Sequence, residues 1–219
     1  MKHQETRPKR REDDESGASD GETAGAAPSS LRLFCAIELP QEIRALAAGY
    51  MSRLREDAPD ARASWEREEK LHLTLKFFGD TEESRVERLT GALERAASAI
   101  NPFELGLQGT GAFPPYGTPR VLWLGVTDSS GRLDKLHKQL EDECAPAGFA
   151  RERKRFHPHL TIARLRSPEG AKRLAGLHKA GKFETESFRV AEIVLIKSEL
   201  LPQGSRHTVI SHHKLKESD

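Results

Sequence analysis

The sequence predicts an α+β domain whose sheets are mostly antiparallel. Strand and helix patterns alternate along most of the chain, but strand patterns cluster near the C-terminus, which does not fit a plain parallel βαβ repeat. A faint internal duplication is the second observation. A strand, a helix and a strand with the pattern His-x-Thr occur over 31–78 and again over 120–165. We therefore expect one domain that contains two related lobes.

A charged tail precedes this domain, and we predict that residues 1–30 are disordered. Between Lys2 and Ser30 there is no Val, Ile, Leu, Phe, Tyr or Trp, so this segment cannot bury enough apolar surface to offset its ordering entropy. From Leu31 onward apolar residues come in regular short runs. The domain is expected over 31–211, followed by a polar C-terminal tail over 212–219 in which His212 and His213 are solvated.

The elements of the first lobe follow from apolar spacing and helix-start signals. Alternating apolar residues predict a strand over 31–38, and Pro40 suits the first turn of a helix that runs to about residue 54. A second strand over 71–78 carries the first His-x-Thr pattern, and a helix over 81–100 follows it. The connection to the second lobe contains a candidate strand over 102–108 and a loop, rich in Pro and aromatic residues, over 109–119.

The second lobe repeats this order. It contains a strand over 120–126, a helix over 131–144 with leucines at helical spacing, and a strand over 159–165. The remaining segments are a short helix over 167–179 and three strands over 183–190, 192–197 and 205–210.

Composition and charge exclude several classes of protein. The 35 basic and 34 acidic residues leave a net charge of +1, too weak for a general nucleic-acid coat but compatible with a small anionic substrate. No apolar run approaches the ~20 residues of a membrane helix, and no secretory signal is readable. The two cysteines, Cys35 and Cys144, form neither a disulfide framework nor a zinc site. We expect a cytoplasmic protein.

The pattern His-apolar-Thr-apolar occurs twice, at His72–Leu75 and at His159–Ile162. On a strand, residues i and i+2 point to the same face, so in each segment the histidine and the threonine share a face and the apolar residues point to the core. If the two lobes face one another, the cleft between them holds two imidazoles and two hydroxyls.

These groups suit the hydrolysis of a phosphodiester by water. A neutral imidazole can accept the proton of the attacking water, and an imidazolium can donate a proton to the leaving oxygen. The hydroxyls of Thr74 and Thr161 can donate hydrogen bonds to the non-bridging phosphate oxygens. Because the ordinary pKa of histidine is near 6.5, one of His72 and His159 can be charged while the other is neutral. The chemistry requires no metal, and we predict no cofactor.

The sequence resembles the RNA 2′,3′-cyclic phosphodiesterases of the two-histidine phosphoesterase superfamily, the group also called 2′-5′ RNA ligase-like proteins. The resemblance covers residues 31–210 and is carried by Arg32–Pro40, Leu71–Gly79, Val121–Val126, Phe156–Arg164, and Lys197–Leu200 before Gly204. It implies a bilobal fold in which two mostly antiparallel sheets line a central cleft with the helices outside. It also implies metal-independent hydrolysis of RNA or nucleotide 2′,3′-cyclic phosphate ends to 2′-phosphomonoesters.

The same resemblance implies roles for the two histidines. His72 would be the acid toward the leaving 3′ oxygen, and His159 the base for water. One feature departs from the family, which often carries an aromatic residue, usually Tyr, shortly after the segment that ends at Gly204. Arg206 and His207 occupy that region here.

Three further residues are candidates for substrate binding. Lys76 lies four residues after His72 and is expected on the cleft face, although a solvated lysine is the alternative. Arg164, five residues after His159, would point away from the cleft unless the strand bulges or ends there. Phe156 could stack on a base, or pack in the core. The basic run Arg151–Arg155 is a local positive patch or a solvated loop.

Two other function classes stay open. One is a 2′-5′ phosphodiesterase or RNA ligase, which uses the same chemistry on 2′-5′ linked ends. The other is a non-catalytic nucleotide- or RNA-binding module that kept the cleft. His157 and His159 have no Cys or carboxylate at ligand spacing, so we predict no metal site. The expected partners are RNA ends or small cyclic nucleotides, with no membrane, and the expected state is a monomer.

Overall fold

The computed structural model describes residues 29–202 and 204–216. The strands are β1 (Ser30–Glu38), β2 (Ala63–Trp65), β3 (His72–Glu82), β4 (Phe103–Phe113), β5 (Val121–Thr127), β6 (His159–Leu165), β7 (Phe188–Val190), β8 (Glu192–Leu201) and β9 (Gly204–Lys214). The helices are α1 (Gln41–Asp57), α2 (Val86–Ser98), α3 (Arg132–Cys144) and α4 (Ala171–Ala180). The predicted α+β class is confirmed. The predicted disordered tail lies, up to residue 28, outside the described residues.

The strands form two antiparallel sheets. The first sheet, sheet A, has the order β3-β1-β8-β9, and the second, sheet B, has the order β2-β6-β5-β4-β7. The internal repeat of the sequence is visible in the pairing, because each strand with the His-x-Thr pattern pairs with the strand that opens its lobe. In sheet A, β3 pairs with β1, and in sheet B, β6 pairs with β5.

The helices bury apolar faces on the outside of the two sheets. In α2 and α3 the buried positions recur at spacings of three and four: Leu89, Ala92, Leu93 and Ala96 in α2, and Leu133, Leu136, Leu140 and Cys144 in α3. For Leu133, Leu136 and Leu140 the sequence predicts this spacing. These two helices contact each other, as do α1 and α4. Among the described residues, no helix is long and apolar enough to span a membrane.

The C-terminal boundary predicted at residue 211 is too early. Strand β9 stays paired with β8 through Lys214, and Leu215 is buried beyond it. The expectation that His213 is solvated is also wrong, since its side chain is buried. Both ring nitrogens have partners, Ser211 Oγ at 2.9 Å and a Glu94 carboxylate oxygen at 3.0 Å. These hydrogen bonds offset the loss of water around the imidazole, which the polar local sequence does not reveal.

Two other differences concern strand lengths. Strand β4 continues to Phe113, through the first part of the predicted loop, because its pairing with β5 extends from Gly106 to Phe113. The predicted strand over 183–190 is regular only at β7. Strand β2 was not predicted from the sequence because three residues are too few to show a period.

Candidate active site

Residues of both sheets line one cleft with a volume of about 650 Å³. Sheet A contributes His72, Thr74 and Phe77, and sheet B contributes His159, Thr161 and Arg164. No described residue of α1–α4 is part of the lining, so the helices lie outside the cleft, as expected. All four residues of the two His-x-Thr patterns therefore meet in one place.

A β-bulge in β3 decides which side chains follow Thr74 into the cleft. Ala36 of β1 pairs with Thr74 and Cys35 pairs with Lys76, so Leu75 is an extra residue on its strand. Leu75 and Lys76 are both buried as a result, and the alternation resumes one position late. Phe77, which is 61% exposed, takes the place in the cleft that regular alternation would give to Lys76.

A second bulge lies at the same point of β6. Leu122 of β5 pairs with Ala163 and Trp123 pairs with Thr161, so Ile162 is the extra residue. This bulge turns Arg164 into the cleft, which meets the condition that the sequence set for a substrate role. Its guanidinium Nε lies 3.8 Å from Glu66 Oε1, and more than half of the side chain remains exposed. Phe77 and Arg164 thus occupy equivalent positions, five residues after the two histidines.

The predicted position of Lys76 on the cleft face is wrong. Its side chain is 1% exposed, and its Nζ donates to Glu141 Oε1 at 2.5 Å and to the Ala150 carbonyl at 2.9 Å. The bulge at Leu75 causes the difference, because it reverses the side to which residue 76 points. A bulge depends on the pairing with the neighbouring strand, so the local sequence does not show it.

Phe156 also lies outside the cleft lining; of its two predicted roles, base stacking there is wrong, and packing against the core is confirmed. Its ring stacks on His137 with centroids 3.9 Å apart, and both line a separate groove beside α3. The aromatic side chain that the cleft exposes is Phe77, which packs at 5.8 Å against Phe34. A buried partner on one side and solvent on the other make Phe77 a surface on which a base can stack.

The two imidazoles are held in the same way. His72 Nδ1 lies 2.6 Å from the Lys70 carbonyl, and His159 Nδ1 lies 2.7 Å from the His157 carbonyl. Because a carbonyl oxygen only accepts, each Nδ1 carries the hydrogen, and a neutral ring then has its lone pair on Nε2. The Thr74 hydroxyl lies 3.0 Å from His72 Nε2 and can donate to it. Both rings are therefore oriented to exchange a proton through Nε2.

Burial makes both imidazoles harder to protonate. The pKa of His72 is lowered to about 4, chiefly by desolvation, with smaller contributions in the same direction from His207 and Arg164, and the hydrogen bond to the Lys70 carbonyl acts in the opposite direction. Desolvation also lowers the pKa of His159; the hydrogen bond to the His157 carbonyl opposes this shift, and the charges of the His157 ring and Arg164 add to it. At neutral pH both rings are therefore neutral, and an anion between them would favour the charged form of one.

His207 is a cleft residue that sequence reasoning did not assign. Its ring meets that of His72 edge-on at 5.4 Å, and it packs at 5.2 Å against Phe34. Burial and the charge of Lys70 lower its pKa. The sequence shows His207 only as a departure from the family's aromatic residue, and β9 lies at the opposite edge of sheet A from β3, so nothing in the local sequence places it beside His72. Around His159 the corresponding ring is Phe113, at 5.1 Å.

A possible cation-binding group lies elsewhere. Glu38, Glu192 and His212 bring their ligand atoms within 4.8 Å of one another. None of the three lines the cleft. The cleft itself offers a ligand imidazoles, hydroxyls and the cationic side chains of Arg32, Lys70 and Arg164, beside the Glu66 carboxylate.

Comparisons with known proteins agree with this arrangement. Residues 40–200 match the family model of the 2′-5′ RNA ligase superfamily. An RNA 2′,3′-cyclic phosphodiesterase of Methanothermobacter thermautotrophicus is 35% identical over 181 residues, which cover 81% of this chain and 95% of that protein. The corresponding Aeropyrum pernix protein is 34% identical over 163 residues, covering 71% of this chain and 89% of the relative.

Solved structures show the same fold. A protein of Thermus thermophilus superposes with a TM-score of 0.71 at 28% identity, and the superposition covers 86% of this chain and 100% of the Thermus protein. The complex of E. coli LigT with 3′-AMP superposes with a TM-score of 0.66 at 26% identity and covers 86% of this chain and 100% of LigT. The similarity therefore includes both lobes and the cleft between them.

Proposed function

The chain belongs to the 2′-5′ RNA ligase superfamily and is a phosphoesterase, and we propose that it hydrolyses 2′,3′-cyclic phosphate ends of RNA or nucleotides to 2′-phosphomonoesters. The observation that carries the proposal is the pair of His-x-Thr strands that line one cleft, with both Nδ1 atoms held by carbonyls. The names of the curated relatives support the cyclic phosphate as the substrate.

In the proposed mechanism, His159 Nε2 accepts a proton from water as the water oxygen bonds to phosphorus. The bond between phosphorus and the 3′ oxygen breaks, and His72 Nε2 donates a proton to that oxygen. The product is a 2′-phosphomonoester with a free 3′ hydroxyl. The reaction leaves His159 charged and His72 neutral, and proton exchange with solvent restores the starting state. The assignment of acid and base rests on the family resemblance.

The cleft offers groups for the charge that develops on phosphorus. The hydroxyls of Thr74 and Thr161 can donate to the two non-bridging oxygens, where negative charge grows in the transition state. Arg164 supplies a fixed positive charge at the rim, with its side chain more than half exposed. Phe77 offers its exposed ring to the base of the terminal nucleotide. These groups and the imidazoles complete the proposed chemistry without a metal ion.

Substrate binding also prepares the acid. Two neutral imidazoles cannot supply a proton donor, but the negative phosphate between them raises the pKa of the nearer ring. We infer that one proton enters the cleft with the substrate, and the family resemblance assigns it to His72, the acid. The other ring stays neutral because two like charges in one site repel each other.

The dependence of kcat/KM on pH should be bell-shaped, with its maximum below the ordinary histidine pKa of 6.5. This parameter reports the free enzyme, in which burial lowers the pKa of both rings. Rising pH deprotonates the one imidazolium, and falling pH protonates the second ring, so the rate decreases on both sides of the maximum. The two apparent pKa values of the profile belong to the coupled pair of histidines. Initial rates at low substrate between about pH 4 and 9 test this. A flat profile would contradict the mechanism.

A panel of three substrates separates the candidate functions. We expect turnover of 2′,3′-cyclic AMP, with a 2′-phosphate as the product, and little cleavage of 2′-5′ linked or ordinary 3′-5′ linked diadenosine monophosphate. Preferential cleavage of the 2′-5′ linkage would favour the 2′-5′ phosphodiesterase alternative. Binding of AMP without turnover of any substrate would favour the non-catalytic module.

A further inference from the structure

The basic loop Arg151–Arg155 leads directly into the strand that carries His159, and all five of its residues are exposed. Arg151 forms an ion pair with Asp142 at 2.7 Å. Within the part of the chain that the structure describes, Arg153, Lys154 and Arg155 have no carboxylate partner. Three positive charges are thus available to an anion close to the cleft.

A second groove lies beside α3, next to the strand that carries His159. It is lined by residues that include Gly125, His137, Arg155, Phe156 and His157. Gly125 pairs directly with His159 between β5 and β6, so a residue of the groove lining lies beside a residue of the cleft lining. Arg155 lies four residues before His159, so the Cα atoms of the two residues are at most ~14 Å apart.

The groove offers rings as well as positive charge. Phe156 and His137 are stacked, and the His157 ring lies 5.4 Å from Phe113, a residue of the cleft lining. Two carboxylates, Asp128 and Asp134, also line the groove near the start of α3. Asp128 accepts from the Leu133 and Ser130 main-chain N–H groups at 2.8 and 2.9 Å. The positive side of the groove is therefore the loop side.

Hydrogen bonds connect the start of the loop to β3, the strand that carries Phe77. Lys76 donates to the Ala150 carbonyl at 2.9 Å, and the Glu152 N–H donates to Glu141 Oε2 at 3.1 Å. Glu152 Oε1 in turn accepts from the Phe77 N–H at 3.3 Å. These bonds hold the loop before a ligand arrives, which reduces the entropy lost on binding.

We propose that the basic loop and this groove bind the phosphodiester backbone of single-stranded RNA on the 5′ side of its cyclic end. This inference rests on the proposed function, which places the terminal nucleotide in the cleft. Unpaired arginines and a lysine suit phosphate oxygens, and the rings of Phe156 and His157 suit the bases of unpaired nucleotides. The enzyme should then prefer an oligonucleotide end to a cyclic mononucleotide.

The test compares two substrates, 2′,3′-cyclic AMP and a short oligoadenylate with a 2′,3′-cyclic end. The double variant Arg153→Ala/Arg155→Ala should lower kcat/KM for the oligonucleotide by roughly tenfold, because two phosphate contacts are lost. Its kcat/KM for cyclic AMP should stay unchanged. A matched control, Lys172→Ala/Lys179→Ala, removes two exposed charges from α4 and should alter neither substrate.

Binding gives a readout that does not depend on turnover. The ligand is a labelled oligoadenylate with a 2′-phosphate end, and Kd is measured at several salt concentrations. Each phosphate contact on a single strand contributes ~0.7 to the slope of log Kd against log salt concentration. The loop variant loses two contacts, so its slope should be about 1.4 smaller. An unchanged slope, or equal losses for both substrates, would overturn the proposal. Absence of cyclic AMP turnover by the wild type would instead contradict the proposed function, and the binding slope would still decide the RNA site.

Discussion

Replacing His72 or His159 with alanine should lower kcat for 2′,3′-cyclic AMP by about 10²–10⁴-fold, the usual contribution of a general acid or base. The two rings act in the same transition state, one accepting a proton and the other donating one. The double variant should therefore be little slower than the slower single variant, because groups that act as a unit are not additive. Initial rates of the four proteins at one pH measure this.

The matched control for these variants is His212→Ala. His212 is an exposed histidine that pairs with Glu192 at 3.1 Å outside the cleft lining, so its loss should leave kcat unchanged. Thermal unfolding of every variant shows whether the fold is retained. A decrease of about tenfold or less in a folded His72 or His159 variant would contradict acid-base catalysis by the pair.

The largest expected change in stability comes from Lys76→Met. This substitution leaves the Glu141 carboxylate buried without its cation, and removal of one partner of a buried ion pair destabilises a protein by about 3–5 kcal/mol. For a domain of this size, at ~2–4 °C per kcal/mol, Tm should fall by roughly 6–20 °C. Calorimetry of the wild type and the variant measures the decrease.

Two further variants separate buried charge from other effects. Lys76→Met/Glu141→Gln removes both charges and should recover part of the lost Tm, because a neutral amide can still accept from the Glu152 N–H. Arg95→Met breaks the exposed pair with Glu143 at 2.7 Å and should change stability by no more than about 1 kcal/mol. Equal decreases in Tm for Lys76→Met and Arg95→Met would show that the buried ion pair contributes no more to stability than the exposed one.

The central part of the candidate site was predictable because strand parity is a local property. His72 and Thr74 share a face on any regular strand, as do His159 and Thr161, and the repeated pattern indicates that the two strands have related positions. The element order was predictable for the same reason, since apolar periodicity and helix-start signals are visible within short windows. The family resemblance then indicated that the two strands face one cleft.

The positions of Lys76 and Arg164 were not predictable from the local sequence. A single extra residue at Leu75, and another at Ile162, reverses the side to which the next side chains of that strand point. Each bulge follows from pairing with a neighbouring strand. Strand alternation therefore predicts the side of the threonine, two residues after each histidine, but not that of Lys76 or Arg164, which lie four and five residues after a histidine. His207 lies on β9, at the opposite edge of sheet A from β3, and the local sequence carries no signal for its approach to His72.

The most direct test of the central claim is the hydrolysis of 2′,3′-cyclic AMP by the wild-type protein in excess EDTA, followed by ³¹P NMR. Two imidazoles that exchange protons through Nε2 need no metal ion, so we predict undiminished turnover and a single new signal, that of 2′-AMP. Loss of turnover in EDTA and its restoration by a divalent cation would contradict catalysis by the histidine pair alone. A 3′-AMP signal would contradict the proposed path of the leaving oxygen.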